Sequence, residues 1–271
     1  MKVGFIGLGN MGAALAAGLL VHKGLRPDQI ILFNRSPSKA MAFKDRFPGT
    51  DLAASSAEIA SRSDMIFVSV PTPQLLVVLK ELSPLSRRTH LVVTNGGLSV
   101  DQMEKLCQGA VSKLVPSVTM EVGRGVSLLC HGRTVSVDAR KVLEGLLSKA
   151  SVVKLVPEDQ FNAATELTSC GPALMAEMMA QFCASGVRHG PLDAQEAWVM
   201  VLETLMGTAL TLESGVSVPE LKEKVATKGG ITEQGLKILE DELPAVLDHV
   251  MEVTLAKHTS VKKELANKLA E

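Results

Sequence analysis

Lys2-Val3-Gly4-Phe5-Ile6-Gly7-Leu8-Gly9-Asn10-Met11-Gly12 opens the chain, and its reading decides the first half of the fold. An apolar run feeds straight into Gly-x-Gly-x-x-Gly, and Ala13-Ala14-Leu15-Ala16-Ala17-Gly18-Leu19-Leu20 follows with helical composition. The predicted unit is strand, tight turn, helix. In that context Gly7 permits the turn, Gly9 lets the backbone approach a pyrophosphate, and Gly12 lets helix pack closely on strand. Asn10 and Met11 fall in the first helical turn, whose unpaired N–H groups attract phosphate. The stretch is a candidate dinucleotide cradle.

The next apolar run, Ile30-Ile31-Leu32-Phe33, reads as a second buried parallel strand. An NAD-selective site places Asp or Glu about 20 residues beyond the glycines, to hold the ribose 2′-hydroxyl. This chain has Asn34-Arg35-Ser36 there, with Lys39 one turn on. Arg35 could fork onto a 2′-phosphate or stack on adenine, and Asn34 and Ser36 could donate hydrogen bonds that a carboxylate could not. NADPH is the expected cofactor, with NADH as the alternative.

Strand and helix patterns keep alternating to about residue 155, through Met65-Ile66-Phe67-Val68, Leu91-Val92-Val93-Thr94 and Lys113-Leu114-Val115. Such alternation builds a doubly wound, mainly parallel sheet whose ligands sit beyond the carboxyl ends of the strands. Val70 and Pro71 after one strand and Asn95 after the next thereby join the glycine loop as cofactor candidates. Taken singly, each of these turns reads better as a plain loop.

From Phe161 onward the pattern is helical, with helices predicted over 173–188, 193–214 and 243–269. The expected division is a nucleotide-binding domain over 1–156 and an all-α domain over 157–271. The helical half carries Met, Ala and Leu on more than one face, which calls for a partner chain and predicts a homodimer or higher homo-oligomer. Within it lies a polar stretch, Thr227-Lys228-Gly229-Gly230-Ile231-Thr232. Adjacent glycines before a helix could present N–H groups to a carboxylate, Thr227 and Thr232 supply hydroxyls, and Lys228 supplies a charge. On the plainer reading Thr232 caps the helix.

Composition excludes several classes. The net charge of −1 over 271 residues gives no field for nucleic acid, and no apolar run is long enough for a membrane span. A cytoplasmic location is expected. Four widely spaced cysteines and six scattered histidines form no ligand pattern, so no metal is assigned.

With both glycine loops in view, the chain resembles the pyrroline-5-carboxylate reductase family along nearly its whole length. Thr168-Ser169-Cys170-Gly171-Pro172-Ala173 is similar to the family's Ser-Gly-Ser-Gly-Pro-Ala, and residues 227–232 are similar to its Ser-Pro-Gly-Gly-x-Thr. The resemblance implies an α/β Rossmann domain followed by an all-α dimerisation domain, with NAD(P)H on the first and substrate held at the dimer interface. It implies a reduction of a cyclic imine carboxylate, 1-pyrroline-5-carboxylate to proline. By position Thr232 matches the threonine facing the imine nitrogen, Thr227 the signature serine, and Gly229 and Gly230 the carboxylate-gripping backbone. The chain departs from the family at Val70, at Ser117-Val118-Thr119 and at Lys228, all around the expected substrate. Another cyclic imine, a β-hydroxyacid dehydrogenase activity and a nucleotide-binding protein without turnover are the alternatives.

Overall fold

The structure, a computed structural model, describes residues 1–83, 85–86, 88–94 and 97–270, with only the backbone of 266 and 268–270. Asn95, a cofactor candidate, lies outside the described residues, as does Gly96. Two compact units emerge, residues 1–172 with 255–271, and residues 173–254.

The first unit is built on eight strands: β1 (Val3–Ile6), β2 (Ile30–Phe33), β3 (Asp51–Leu52), β4 (Met65–Val68), β5 (His90–Val93), β6 (Ala110–Val115), β7 (Val126–His131) and β8 (Val152–Leu155). They lie in the order β3-β2-β1-β4-β5-β6-β7-β8, parallel except for the β6–β7 pair. The chain starts at β1, runs outward through β2 and β3, then returns to build away from β4, so the strand order reverses between β1 and β4. A dinucleotide-binding sheet places its crevice at that reversal.

The helices are α1 (Asn10–Val21), α2 (Pro37–Arg46), α3 (Ser56–Arg62), α4 (Thr72–Glu81), α5 (Val100–Cys107), α6 (Val137–Leu147), α7 (Phe161–Thr165), α8 (Gly171–His189), α9 (Ala194–Glu213), α10 (Val218–Val225) and α11 (Ile231–Ala270). Central strands buried on both faces need apolar residues throughout, and β1, β4 and β5 are buried along their whole length. One core lies around α1 and α6, including Phe5 stacked on Phe67 at 5.0 Å, and the other lies around α4 and α5.

The structure differs from the sequence expectation in the last helix. Instead of a helix starting at residue 243, separate from the one expected behind Gly229 and Gly230, a single helix begins at Ile231 and passes through Pro244. Proline interrupts a helix by removing one N–H and crowding the carbonyl four residues back, at a cost of about 3 kcal/mol. Here the flanks, Glu233-Gln234-Gly235-Leu236-Lys237 and Ala245-Val246-Leu247, are mostly strong helix formers, and one missing bond is carried within a 40-residue run. Between α7 and α8 the chain makes a π turn over Glu166–Cys170.

Polar groups buried in the first unit form chains. His90 (Nε2) lies 2.7 Å from Ser112 (Oγ), Ser112 lies 2.6 Å from His131 (Nδ1), and His131 (Nε2) lies 3.2 Å from Glu144 (Oε1). Burial favours neutral rings; a carboxylate only accepts, so a neutral His131 donates through Nε2 and accepts from the Ser112 hydroxyl at Nδ1. The Ser112 oxygen then accepts from His90 Nε2–H, leaving His90 Nδ1 buried with no partner among the described residues.

Burial, helped by the nearby His131, lowers the His90 pKa from 6.5 to about 4. Burial also lowers that of His131, opposed by its bond to Glu144. The unfolded chain takes up a proton near pH 6.5 and the folded chain only near pH 4, so stability is whole above 6.5 and is lost as pH falls through that window. The His90 contribution is about 3 kcal/mol. Urea unfolding at pH 7.0 and 4.5 should show this loss in the wild type and a smaller one in His90→Gln; equal losses would place the acid sensitivity elsewhere.

Candidate functional site

At the carboxyl ends of β1, β2 and β4 lies a crevice of about 420 Å³. Gly7 has φ +94°, and a Cβ there would strike the Ser69 carbonyl, so only glycine turns the chain this tightly. A Cβ on Gly12 would run into the Gly7 carbonyl oxygen, which is the close helix-on-strand packing expected of the third glycine. Gly9 is different. Its φ is −72°, open to any residue, and beyond its chain neighbours no atom of the described residues lies within 4 Å of where its Cβ would be. The space beside it belongs to the crevice, so Gly9 keeps open an approach to backbone rather than avoiding a clash. No side chain among the described residues caps α1, whose N-cap is Gly9, so its first N–H groups are open to a ligand. A pyrophosphate fits this cradle.

Gly7, Gly9, Asn34, Arg35, Ser36, Val70 and Pro71 all line the crevice. Asn10 and Met11 form the first turn of α1, and Gly12 packs beneath it. Lys39 adds a second cation to the exposed Arg35 and Ser36 at the β2 end. Asn34 has internal work: its Oδ1 accepts the Leu8 N–H at 2.8 Å and its Nδ2 donates to the Ser36 carbonyl at 2.9 Å. The carboxamide thus ties the glycine turn to the turn bearing Arg35. An aspartate could replace the first bond but would set an oxygen against the Ser36 carbonyl. Sequence reading missed Ser56, Gln74 and Glu81, which also line the crevice. The spacing of Gln74, Val78 and Glu81 along α4 puts them on one helical face, a signal that was available.

At the β4 end, Thr94 Oγ1 donates to the Val68 carbonyl at 3.3 Å and to Ser69 Oγ at 3.0 Å. Ser117, fully buried, pairs its hydroxyl with that of Thr119 at 2.7 Å.

In the second unit, residues 227–232 form a tight turn into α11. Gly229 has φ +74° and donates its N–H to Glu233 Oε2 at 2.8 Å, while Gly230 N–H donates to the Thr227 carbonyl at 2.8 Å. Both glycine amides expected to grip a carboxylate are therefore engaged within the loop, and Ile231 and Thr232 head the helix behind them. Thr232 sits inside the first turn rather than at the cap, and its exposed hydroxyl makes no hydrogen bond among the described residues. The Lys228 side chain is exposed. No group of three or more potential metal ligands occurs among the described residues.

The reversal point, the glycine cradle and the open helix terminus define a class, the NAD(P)H-dependent oxidoreductases with a Rossmann domain. Comparison with known proteins narrows it. Residues 158–261 match the family model for pyrroline-5-carboxylate reductase dimerisation, and residues 2–96 match that for NADP oxidoreductase, coenzyme F420-dependent. The chain is 32% identical to pyrroline-5-carboxylate reductase of Methanobrevibacter smithii, covering 90% of this chain and 99% of that one. It is 30% identical to ComE operon protein 4 of Bacillus subtilis, over 97% and 99% of the two chains. Its fold matches that of Plasmodium falciparum pyrroline carboxylate reductase with NADP bound, with a TM-score of 0.86 at 24% identity over 97% and 98%. The chain belongs to the pyrroline-5-carboxylate reductase family.

Because the Gly9 position is sterically open in the protein alone, Gly9→Ala should fold normally while its methyl fills the pyrophosphate approach. Its melting temperature should match the wild type and its affinity for NADP⁺ should fall about tenfold or more, measured by calorimetry. Unchanged affinity would remove the cradle from the binding site.

Proposed function

We propose that the protein is an NADPH-dependent reductase of a cyclic imine bearing a carboxylate, 1-pyrroline-5-carboxylate being reduced to proline. The observation that carries this reading is the Thr232 hydroxyl, exposed and without a hydrogen-bond partner among the described residues, at the position that matches the threonine facing the imine nitrogen in the family. Bound NADPH supplies a hydride for the C=N carbon. An imine can enter already protonated, so the chain's part is to orient the iminium, accept its N–H at the Thr232 oxygen and exclude water, which is catalysis by placement. No lysine, histidine or carboxylate is required as proton donor. With the Gly229 and Gly230 amides engaged, the substrate carboxylate is taken by the N–H groups of Ile231 and Thr232 and by the positive end of α11, with Lys228 adding charge.

The family resemblance and the exposed apolar side chains Phe182, Met206 and Leu210 of the second unit support a homodimer formed through the helical domain, residues 157–271. A cyclic imine other than 1-pyrroline-5-carboxylate is the second reading. Ser117 and Thr119 favour it, because a polar pair stands where the family has Asn and Pro.

Thr232→Val should lower kcat/KM for the imine about tenfold, the loss of one hydrogen bond, with NADPH affinity kept. An unaltered rate takes Thr232 out of the mechanism. Arg35→Ala should weaken NADPH by ~1.5–3 kcal/mol, one to two decades, and leave NADH nearly untouched. Equal weakening of both cofactors would mean that Arg35 stacks on adenine or merely faces solvent.

A further inference from the structure

The crevice has more lining than phosphate groups use. With the pyrophosphate in the glycine cradle and the 2′-phosphate at the turn bearing Arg35, Ser36 and Lys39, a slot is left over. It lies between Phe33 at the end of β2, Ser56 at the head of α3 and one face of α4. Along that face come Gln74, then Val77 and Val78, then Glu81, spaced as i, i+3, i+4 and i+7 over about 10 Å. Apolar side chains in the middle suit the flat face of a ring, and polar ones at the two ends suit its edges.

The adenosine half of the dinucleotide supplies such a ring. Adenine joins its ribose through N9, so with the ribose at the end of β2 it is the base that extends into the slot. The edge farthest from the ribose carries N1 and the 6-amino group. Helix α4 starts beside the cradle, where a Cβ on Gly7 would meet the Val70 side chain, and leads away from it to end at Glu81. Glu81 is therefore the lining residue of α4 most remote from the pyrophosphate.

On two counts a carboxylate is unfavourable at that place. Glu81 is the one acidic side chain among the described residues lining a crevice suited to a polyanion. It is also the last residue of α4, where the partial negative charge of the helix end favours a cation. Arg35 and Lys39 line the same crevice, yet Glu81 forms an ion pair with neither and its side chain makes no hydrogen bond among the described residues. Its oxygens can only accept. The ring nitrogens of adenine accept as well, and the donor that the base offers is its 6-amino group.

We propose that Glu81 is a base-specificity residue of the cofactor site: its carboxylate, at the far end of the slot, accepts a hydrogen bond from the 6-amino group of adenine. This rests on the NAD(P)H reading of the crevice but not on the identity of the imine.

The test varies the one group that Glu81 is said to read. Adenosine 2′,5′-bisphosphate and purine riboside 2′,5′-bisphosphate, in which hydrogen replaces the amino group, are titrated by calorimetry into wild type, Glu81→Ala and Gln74→Leu, with melting curves alongside. The wild type should bind the amino compound about tenfold more tightly, the loss of one charge-assisted hydrogen bond. In Glu81→Ala, at an exposed position and with an unchanged melting temperature, the two ligands should bind within about twofold of each other. Gln74→Leu should keep the wild-type preference. Equal binding of the two ligands by the wild type overturns the proposal, as does a preference that survives in Glu81→Ala. Loss of the preference in Gln74→Leu alone overturns it too and moves the reading of the base to that carboxamide. If the wild type binds neither ligand, the cofactor reading fails first and takes this inference with it.

Discussion

The contact between α1 and the β1 turn is the constraint from which the rest of the nucleotide site follows. Gly12 lies so close to the Gly7 carbonyl that no side chain fits between them, and Gly7 lies equally close to the Ser69 carbonyl of the neighbouring β4 turn. Three segments are thus drawn to one point at the reversal of strand order. Pulling the helix in places its uncapped N-terminus at the mouth of the crevice, and the dipole and free N–H groups are then fixed by packing rather than by a loop. Asn34 extends this rigidity to the Arg35 turn with two hydrogen bonds. The cation that would meet a 2′-phosphate is therefore held in register with the groups that would meet the pyrophosphate.

How much of this was legible in the sequence depends on whether the signal is local. The glycine turn, the buried strands and the basic turn after β2 announce themselves within a dozen residues, because glycine spacing and apolar runs have one structural solution each. The continuity of helix α11 through Pro244 did not, because one proline weighs heavily in a local reading yet costs only about 3 kcal/mol in a helix most of whose other residues favour it. The 227–232 loop was half legible. Its glycines mark a turn, but their amides are taken by the Glu233 side chain and by the Thr227 carbonyl, a matter of side-chain and loop backbone conformation that spacing cannot express. The double role of Asn34 was equally hidden, since the same residue type at the same place could have faced solvent or phosphate. Asn95 lies outside the described residues, so its part in the site rests on the sequence.

The β6–β7 junction shows how sheet geometry and buried polarity depend on each other. Residues 116–125 are too few for a helical crossover, so β7 returns antiparallel, and Ser112 then lies opposite His131. Alternation along β6 sends Ser112 to the α6 side, where it joins two histidines and Glu144, and sends Lys113 to the other side, where it meets Glu158 and the start of α5. Two successive polar residues in a buried strand look like an error of patterning until each is followed to its partners. Neither is an economical core residue, and each fastens a different layer to the same strand: one a helix on the far side of the sheet from α5, the other the connection that leaves the carboxyl end of β5. A core of apolar residues alone would fill this strand's surroundings but would leave those two attachments free to slide, since dispersion contacts fix density rather than direction. The hydrogen bonds of Ser112 and Lys113 supply the direction.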